Sequence, residues 1–179
     1  MTETIQQYSA NDFEKWKGPY FQVQKPHDWK VISTPEFQAV FIGPKIAGVH
    51  ANITFQTTDD ETTKTLFDFA ENLRFTQSGK YEKYIMLSTH QRITYPLPNL
   101  LQLCRWYNEY SGNTIYQRQF LVRTGTHFHL VTTTQPAHNK FDIIDKLFDN
   151  VICSFLPHPN GHTASEKILQ DGINPFHME

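Results

Sequence analysis

The chain has 179 residues, a formal net charge of −2 at pH 7 and 39% hydrophobic residues. This length fits one domain, and so small a net charge excludes a strong field that would attract DNA or an anionic membrane. Fourteen Phe and eight Tyr supply enough rings to build a core, and aromatic residues favour strands over helices.

The first half of the chain predicts several short strands. Residues 1–19 are polar, and we expect a short helix or a loosely docked arm there. Period-two patterns, each closed by Pro, Gly or a turn, predict the strands that follow. These strands cover residues 21–24, 29–33, 37–42 and 51–57.

Residues 62–77 predict the first long helix. Thr65 is followed three residues later by Asp68, which is the spacing of a capping box at a helix N-terminus. Apolar residues then recur at helical spacing and indicate one buried stripe. The stripe consists of Leu66, Phe69, Ala70 and Leu73.

The second half predicts four strands and a second helix. Residues 83–94 hold one or two strands, and residues 100–110 hold another. Two alternating runs, 114–123 and 127–134, are joined by a Thr-Gly-Thr link and predict a β-hairpin. We expect one apolar face on this hairpin, formed by Tyr116, Phe120, Val122, Phe128 and Leu130.

The closing helix covers residues 141–155. Its apolar residues are Phe141, Ile144, Phe148, Val151 and Phe155. Neither this stripe nor the hairpin can bury its apolar side alone, so we expect the helix to lie across the sheet.

This order of elements predicts an α+β fold, an antiparallel β-sheet with helices packed on it. We expect a single domain at residues 20–156, after the polar arm at residues 1–19. A Pro-His-Pro-Asn-Gly sequence cannot continue the second helix, so we expect a flexible tail at residues 157–179.

Several short motifs, in order, resemble the DcrB/PsbP-like family. Pro26 and Trp29 follow the first strand as Pro-x-x-Trp, residues 40–44 read Val-Phe-x-Gly-Pro, and residues 51–55 read Ala-Asn-Ile-Thr-Phe. The hairpin and the helix that ends in Ser154-Phe155 are also similar to that family. The likeness spans residues 20–156 and implies an α/β/α sandwich of the PsbP type.

The resemblance also implies a class of function. The family includes photosystem accessory subunits, a nuclear-import factor that binds the GTPase Ran, bacterial lipoproteins and Eag-type chaperones of secreted toxins. These proteins share binding rather than a common active site, so the resemblance implies no catalytic residue and no cofactor. The N-terminal residues lack the pattern of a secretory signal, and we therefore expect a cytoplasmic location.

A polar patch on the hairpin is the candidate binding surface. His127 and His129 lie two residues apart on one strand and face the same way. Gln117, Gln119 and Arg123 share the more polar side of the neighbouring strand, and we expect all five on one face. Two histidines are half of a zinc site, which needs three or four ligands, so we expect no metal.

Other reactive or aromatic residues suggest no chemistry. Cys104 and Cys153 lie in apolar runs and are expected to be buried free thiols, although the sequence leaves a disulfide between them open. His158 and His162 are four residues apart, but the intervening Pro and Gly oppose the helix that would align them. Trp106, Tyr107 and Tyr110 form either a binding platform or part of the core.

The leading hypothesis is a non-catalytic cytosolic protein-binding module, in its most specific form an adaptor or chaperone for a secreted effector or toxin. That form predicts an uncovered apolar groove and a homodimer. One alternative is a small enzyme or metal-binding protein that uses the His/Arg patch. Another is an interaction domain for a GTPase or toxin, with the acidic residues Asp59, Asp60 and Glu61 in its contact loop.

Overall fold

The computed structural model describes residues 5, 7–59, 64–125 and 127–158. Within them the chain forms two α-helices, a short 3-10 helix and ten strands. The helices are α1 (Leu66–Lys80) and α2 (Phe141–Ser154), and the 3-10 helix is Ala10–Asp12. The strands are β1 (Phe13–Lys17), β2 (Phe21–Pro26), β3 (Lys30–Ile32), β4 (Ala39–Ile46), β5 (Val49–Asp59), β6 (Glu82–His90), β7 (Asn99–Asn108), β8 (Asn113–Arg123), β9 (His127–Pro136) and β10 (Leu156–Pro157).

Every strand pair is antiparallel, and the described strands form two sheets. The larger has seven strands in the order β3-β4-β5-β9-β8-β7-β6, and the smaller has three in the order β1-β2-β10. Helix α2 and β2 contact each other and lie against one face of the seven-stranded sheet, here called the α2 face. Helix α1 lies against β6, β7 and β8 on the opposite face, here called the α1 face. The predicted α+β fold, an antiparallel sheet with helices packed on it, is confirmed.

Aromatic rings dominate the core on the α2 face. Phe21 stacks on Phe55 with ring centroids 4.8 Å apart, and Phe155 lies 5.1 Å from Phe21. The α2 side chains Ile144, Leu147, Phe148, Val151 and Ile152 are all buried in this core. The helix lies across the sheet as its apolar stripe predicts, and burial of a stripe of this size is the main stabilising term available to it.

The core on the α1 face is much smaller. It consists of Ala70, Leu121 and Leu130, with half-buried contacts from Leu66, Phe69, Leu73 and Leu100. Thr65 and Asp68 form the predicted capping box, in which the Thr65 hydroxyl accepts a hydrogen bond from the Asp68 backbone N–H at 3.1 Å. The predicted helix and its stripe are therefore present, but the helix begins at Leu66 rather than at residue 62.

Glycine at position 43 is required by a close approach. A Cβ atom added there would lie 2.3 Å from a ring carbon of Trp29, which is buried against Phe148. The Trp29 ring thus crosses directly over the β4 backbone, next to the register shift between Ile42 and Lys45. Any side chain at position 43 would push this ring out of the core.

Two predictions about the ends of the domain need correction. Residues 13–17 are not part of a short helix or a loosely docked arm, because β1 pairs along its whole length with β2. Pro157, expected in the tail, pairs with Phe21 as part of β10. The small sheet itself was not expected, since period-two patterning does not say which sheet a strand joins. Residues 159–179 of the predicted tail, with His162, lie outside the described residues.

The prediction of one apolar face on the β8–β9 hairpin is wrong. The register pairs Phe120 with Val131 and Leu121 with Leu130, so Phe120 and Leu130 lie on opposite faces of the sheet. Alternation fixes which residues of one strand share a face, but the turn fixes how that alternation matches the next strand. Both faces of this hairpin are covered, one by α2 and one by α1.

Candidate functional site

The five residues of the predicted polar patch do not share a face. Gln117 and Gln119 lie on the α1 face, where the Gln119 amide nitrogen donates to Gln77 of α1 at 2.8 Å. Arg123 lies on the same face, 5.2 Å above the ring of Phe128. The register that places Leu121 opposite Leu130 also turns the two histidines to the other face.

His127 and His129 lie on the α2 face beside the small sheet. The His127 ring is 5.4 Å from the ring of Tyr20 and its Nε2 is 3.4 Å from an Asp59 carboxylate oxygen. His129 is 1% exposed, its Nδ1 lies 3.1 Å from the Thr57 hydroxyl, and its Nε2 has no hydrogen-bond partner among the described residues. The predicted patch is therefore split by the sheet into two unrelated groups.

The buried position of His129 fixes its charge state. Burial, with smaller contributions from the neighbouring imidazoles of His127 and His158, lowers the pKa of His129 to about 4. A neutral imidazole with one bonded nitrogen is a packed core residue with no charge to offer a ligand near pH 7. Among the described residues, no group of three or more His, Cys, Asp or Glu side chains could hold a metal ion.

The α1 face carries a different feature, two rows of neutral polar side chains that cross four strands. The strand register aligns β7, β8, β9 and β5 side by side. The first row, in that strand order, is Gln102, Gln119, Thr132 and Thr54, and the second row is Cys104, Gln117, Thr134 and Asn52. We call these the two polar rows. Such a surface is unusual in a position where apolar residues normally pack against a helix.

An open groove of about 380 Å³ lies over the part of these rows that α1 leaves uncovered. Its floor contains Thr132, Thr134 and Gln117, and Leu73, Gln77 and Tyr81 border it at the end of α1. The remaining described residues that line it are Phe37, Val49, Asn52, Thr54, Gln56, Trp106, Asn108, Ile115 and Leu130. None of these described lining residues is charged, so the groove combines apolar rings with uncharged donors and acceptors.

Trp106 gives the groove a rigid aromatic wall. Its ring stacks on Tyr81 with centroids 4.3 Å apart and an interplanar angle of 11°. The Trp106 indole nitrogen is shielded from solvent and has no hydrogen-bond partner among the described residues. Of the other residues considered as an aromatic platform, Tyr110 is fully exposed and Tyr107 lies on the α2 face beneath Lys83.

The cysteines and a cluster of ion pairs between β8 and α2 have structural explanations. Cys104 is buried and Cys153 is exposed, and both are free thiols, so the expectation that Cys153 is buried is wrong. Burial raises the pKa of Cys104 to about 11. Arg118 of β8 binds Asp145 and Asp149 of α2, and these ion pairs hold the helix over the sheet.

The sequence does contain a signal for the polar rows. Polar residues stand at alternate positions within strands that are otherwise apolar, such as Gln102 and Cys104, or Thr132 and Thr134. This pattern marks the face of each strand, but only the register shows that the four faces align. The groove could not be found from sequence, because it depends on where α1 stops covering the sheet.

Comparisons with known proteins identify the fold. Comparison with models of protein families finds no match, and comparison with curated proteins finds none either. Cyanobacterial PsbP (CyanoP) from Synechocystis is similar in structure, with a TM-score of 0.62, 13% identity, and coverage of 88% of this chain and 99% of that one. The chain therefore has a PsbP-like fold.

Two further solved structures are similar. A Pseudomonas aeruginosa protein of unknown function has a TM-score of 0.55 and 11% identity, with 83% of this chain and 99% of that chain covered. LpqN of Mycobacterium tuberculosis, involved in cell envelope biogenesis, has a TM-score of 0.53 and 11% identity, with 86% and 99% covered. At such identities the likeness establishes the fold alone.

No described helix combines the length and the apolar character needed to span a bilayer.

Proposed function

We propose that this protein is a non-catalytic, cytosolic protein-binding module that holds an uncharged segment of a partner protein in the groove on its α1 face. The observation that carries the proposal is the neutral lining of the groove among the described residues. Charged segments would lose hydration on entry without gaining a counter-charge, whereas apolar side chains and backbone amides would find matching surfaces.

The more specific form of the proposal is an adaptor or chaperone for a secreted effector or toxin, related to the Eag type within the DcrB/PsbP-like family. A chaperone of this kind keeps an apolar segment of its client out of water until export. The sequence hypothesis predicted an uncovered apolar groove, and the floor of this groove also carries the hydroxyls of Thr132 and Thr134 and the amide of Gln117. These groups suit the backbone of a bound segment, while Trp106 and Tyr81 suit its side chains.

The two other hypotheses have less support. An enzyme that uses the His/Arg patch would need Arg123 beside His127 and His129, but the sheet separates Arg123 from both. A GTPase- or toxin-binding domain that uses the acidic loop would depend on Asp60 and Glu61, which lie outside the described residues. A homodimer stays compatible with the groove, and no contact between copies is needed to complete it.

A charge placed in the groove tests the proposal. Thr54 lies on its floor, and Thr58 lies on the same strand and face but outside the lining residues. Thr54→Lys should weaken binding of uncharged apolar peptides at least about tenfold, because the ammonium would have to be desolvated. Thr58→Lys, the matched control, should bind as the unmodified protein does.

The probes are synthetic peptides of about ten residues, which reach about 33 Å when extended. One set is built from Leu, Ala, Ser and Gly, and a second set carries Lys or Glu at every third position. Fluorescence polarisation measures both sets against all three proteins. Equal binding of the charged and uncharged sets, or equal loss in the two lysine variants, would contradict the proposal.

A further inference from the structure

The polar rows continue beyond the groove and under α1. Thr54 and Thr132 of the first row line the groove, while Gln119 in the same row is bonded to Gln77 of α1. Gln102 follows on β7, the next strand outward, which also contacts α1. The surface that a ligand meets in the open groove is thus chemically continuous with the surface that the helix covers.

The covered end of this row contains amide groups with unmet hydrogen-bonding capacity. Gln102 is 0% exposed, and neither its amide oxygen nor its amide nitrogen has a partner among the described residues. The amide oxygen of Gln119 lacks one too. A buried polar atom without a partner keeps the full cost of its lost hydration, so these two side chains destabilise the closed arrangement.

Helix α1 is weakly attached above them. Ala70 is its one buried residue, compared with five in α2. Phe67 and Phe75 point away from the sheet and are 61% and 80% exposed. A helix that buries little apolar surface and covers unsatisfied amides is held by a small free energy, and such elements open most readily in the native state.

We infer that α1 is a displaceable cover and that the bound segment extends beneath it to Gln102 and Gln119. This inference rests on the proposed function and adds to it the residues that form hydrogen bonds with the backbone of the bound segment. In extended backbone the N–H and the C=O of one residue point to the same side, and a glutamine side-chain amide can bind both. Gln102, whose amide nitrogen and oxygen both lack a partner among the described residues, binds one such residue, and the Gln119 amide oxygen accepts a further N–H.

The occupant is therefore an uncharged, extended polypeptide segment. Extended backbone exposes unpaired N–H and C=O groups, whereas a helix uses its own internally. A charged side chain under α1 would lie against uncharged amides with no counter-ion in the described rows, which excludes charged segments.

The substitution Gln102→Met separates this role from a structural one. Methionine has a similar volume but no unsatisfied amide, so the free protein should become more stable, with a melting temperature raised by about 2–4 °C. The same variant should bind the uncharged peptides at least about tenfold more weakly. A residue with only a structural role would not show higher stability together with weaker binding.

Thr133→Val is the matched control. Thr133 is also buried, and its hydroxyl has no hydrogen-bond partner in the described part of the chain, but it lies on the α2 face. Its replacement should raise the melting temperature in the same way and leave peptide binding unchanged. If Gln102→Met and Thr133→Val bind the peptides equally well, the extension beneath α1 is wrong.

Hydrogen exchange followed by mass spectrometry tests the movement of α1. Saturation with an uncharged peptide should speed exchange across Leu66–Lys80 and leave α2 unaffected. Slower or unchanged exchange in α1 would overturn displacement. If Thr54→Lys loses peptide binding and Gln102→Met does not, the extension beneath α1 is wrong and the groove remains the binding site. If both variants bind the peptides fully, the groove is not the binding site either.

Discussion

The buried imidazole of His129 predicts how the stability of the fold depends on pH. In the folded protein its pKa is lowered to about 4 from the ordinary value of 6.5. The unfolded chain therefore takes up a proton near pH 6.5, while the folded chain resists it until about pH 4. The contribution of His129 to the free energy of unfolding is fully present above pH 6.5. It is lost as the pH falls from 6.5 to about 4, and it does not change further at lower pH.

The size of the effect follows from the same two values. A difference of about 2.5 pKa units corresponds to about 3 kcal/mol of unfolding free energy at about 1.4 kcal/mol per unit. Because His129 is 1% exposed, solvent screening reduces this figure little. Urea unfolding at a series of pH values between 8 and 4 measures it directly, since the midpoint follows the free energy.

Two variants isolate this contribution from the other titrating groups. His129→Gln removes the buried imidazole and keeps a group that can bond to Thr57, so its loss of stability between pH 7 and 4.5 should be smaller by about 2–3 kcal/mol. His90→Gln removes an exposed imidazole, which solvent reaches in both states, and should lose stability as the unmodified protein does. Parallel curves for all three proteins would refute the reasoning.

Two further predictions concern the core and the thiols. Phe148→Ala should cost about 3–5 kcal/mol in urea unfolding because it empties a buried site beside Trp29, whereas Phe75→Ala, on the exposed side of α1, should stay within about 0.5 kcal/mol; equal effects would contradict the described burial. A thiol reagent should modify Cys153 in the native protein and should reach Cys104 only in urea, because Cys104 is buried and its pKa is raised to about 11. Rapid native labelling of both thiols, measured by mass spectrometry, would disprove that assignment.

Local patterning predicts the elements of this chain well. The alternation in residues 51–57 and 114–123 and the stripe from Phe141 to Phe155 each report a burial pattern that a single element carries by itself. Capping at Thr65 and Asp68 is local for the same reason. These predictions agree with the structure apart from shifts at element boundaries, such as the start of α1.

Relations between elements are predicted poorly. The prediction that Arg123, His127 and His129 share one face was wrong. Two strands can each alternate as predicted and still pair in either register, which decides whether their polar faces coincide. The small sheet was missed because β2 has the same pattern whichever strands flank it. The groove depends on a third kind of information, the extent of α1 over the sheet, which one helix stripe does not contain.

The pairing of β10 with β2 has a consequence for the order of assembly during synthesis. Leu156 and Pro157 pair with Gln22 and Phe21, and the His158 backbone N–H donates to the Tyr20 carbonyl at 2.8 Å. Strand β2 therefore cannot complete its pairing until residues more than a hundred positions later in the chain have left the ribosome. Until then one edge of β2 stays open to any nascent chain nearby, so translation speed past α2 sets how long that exposure lasts.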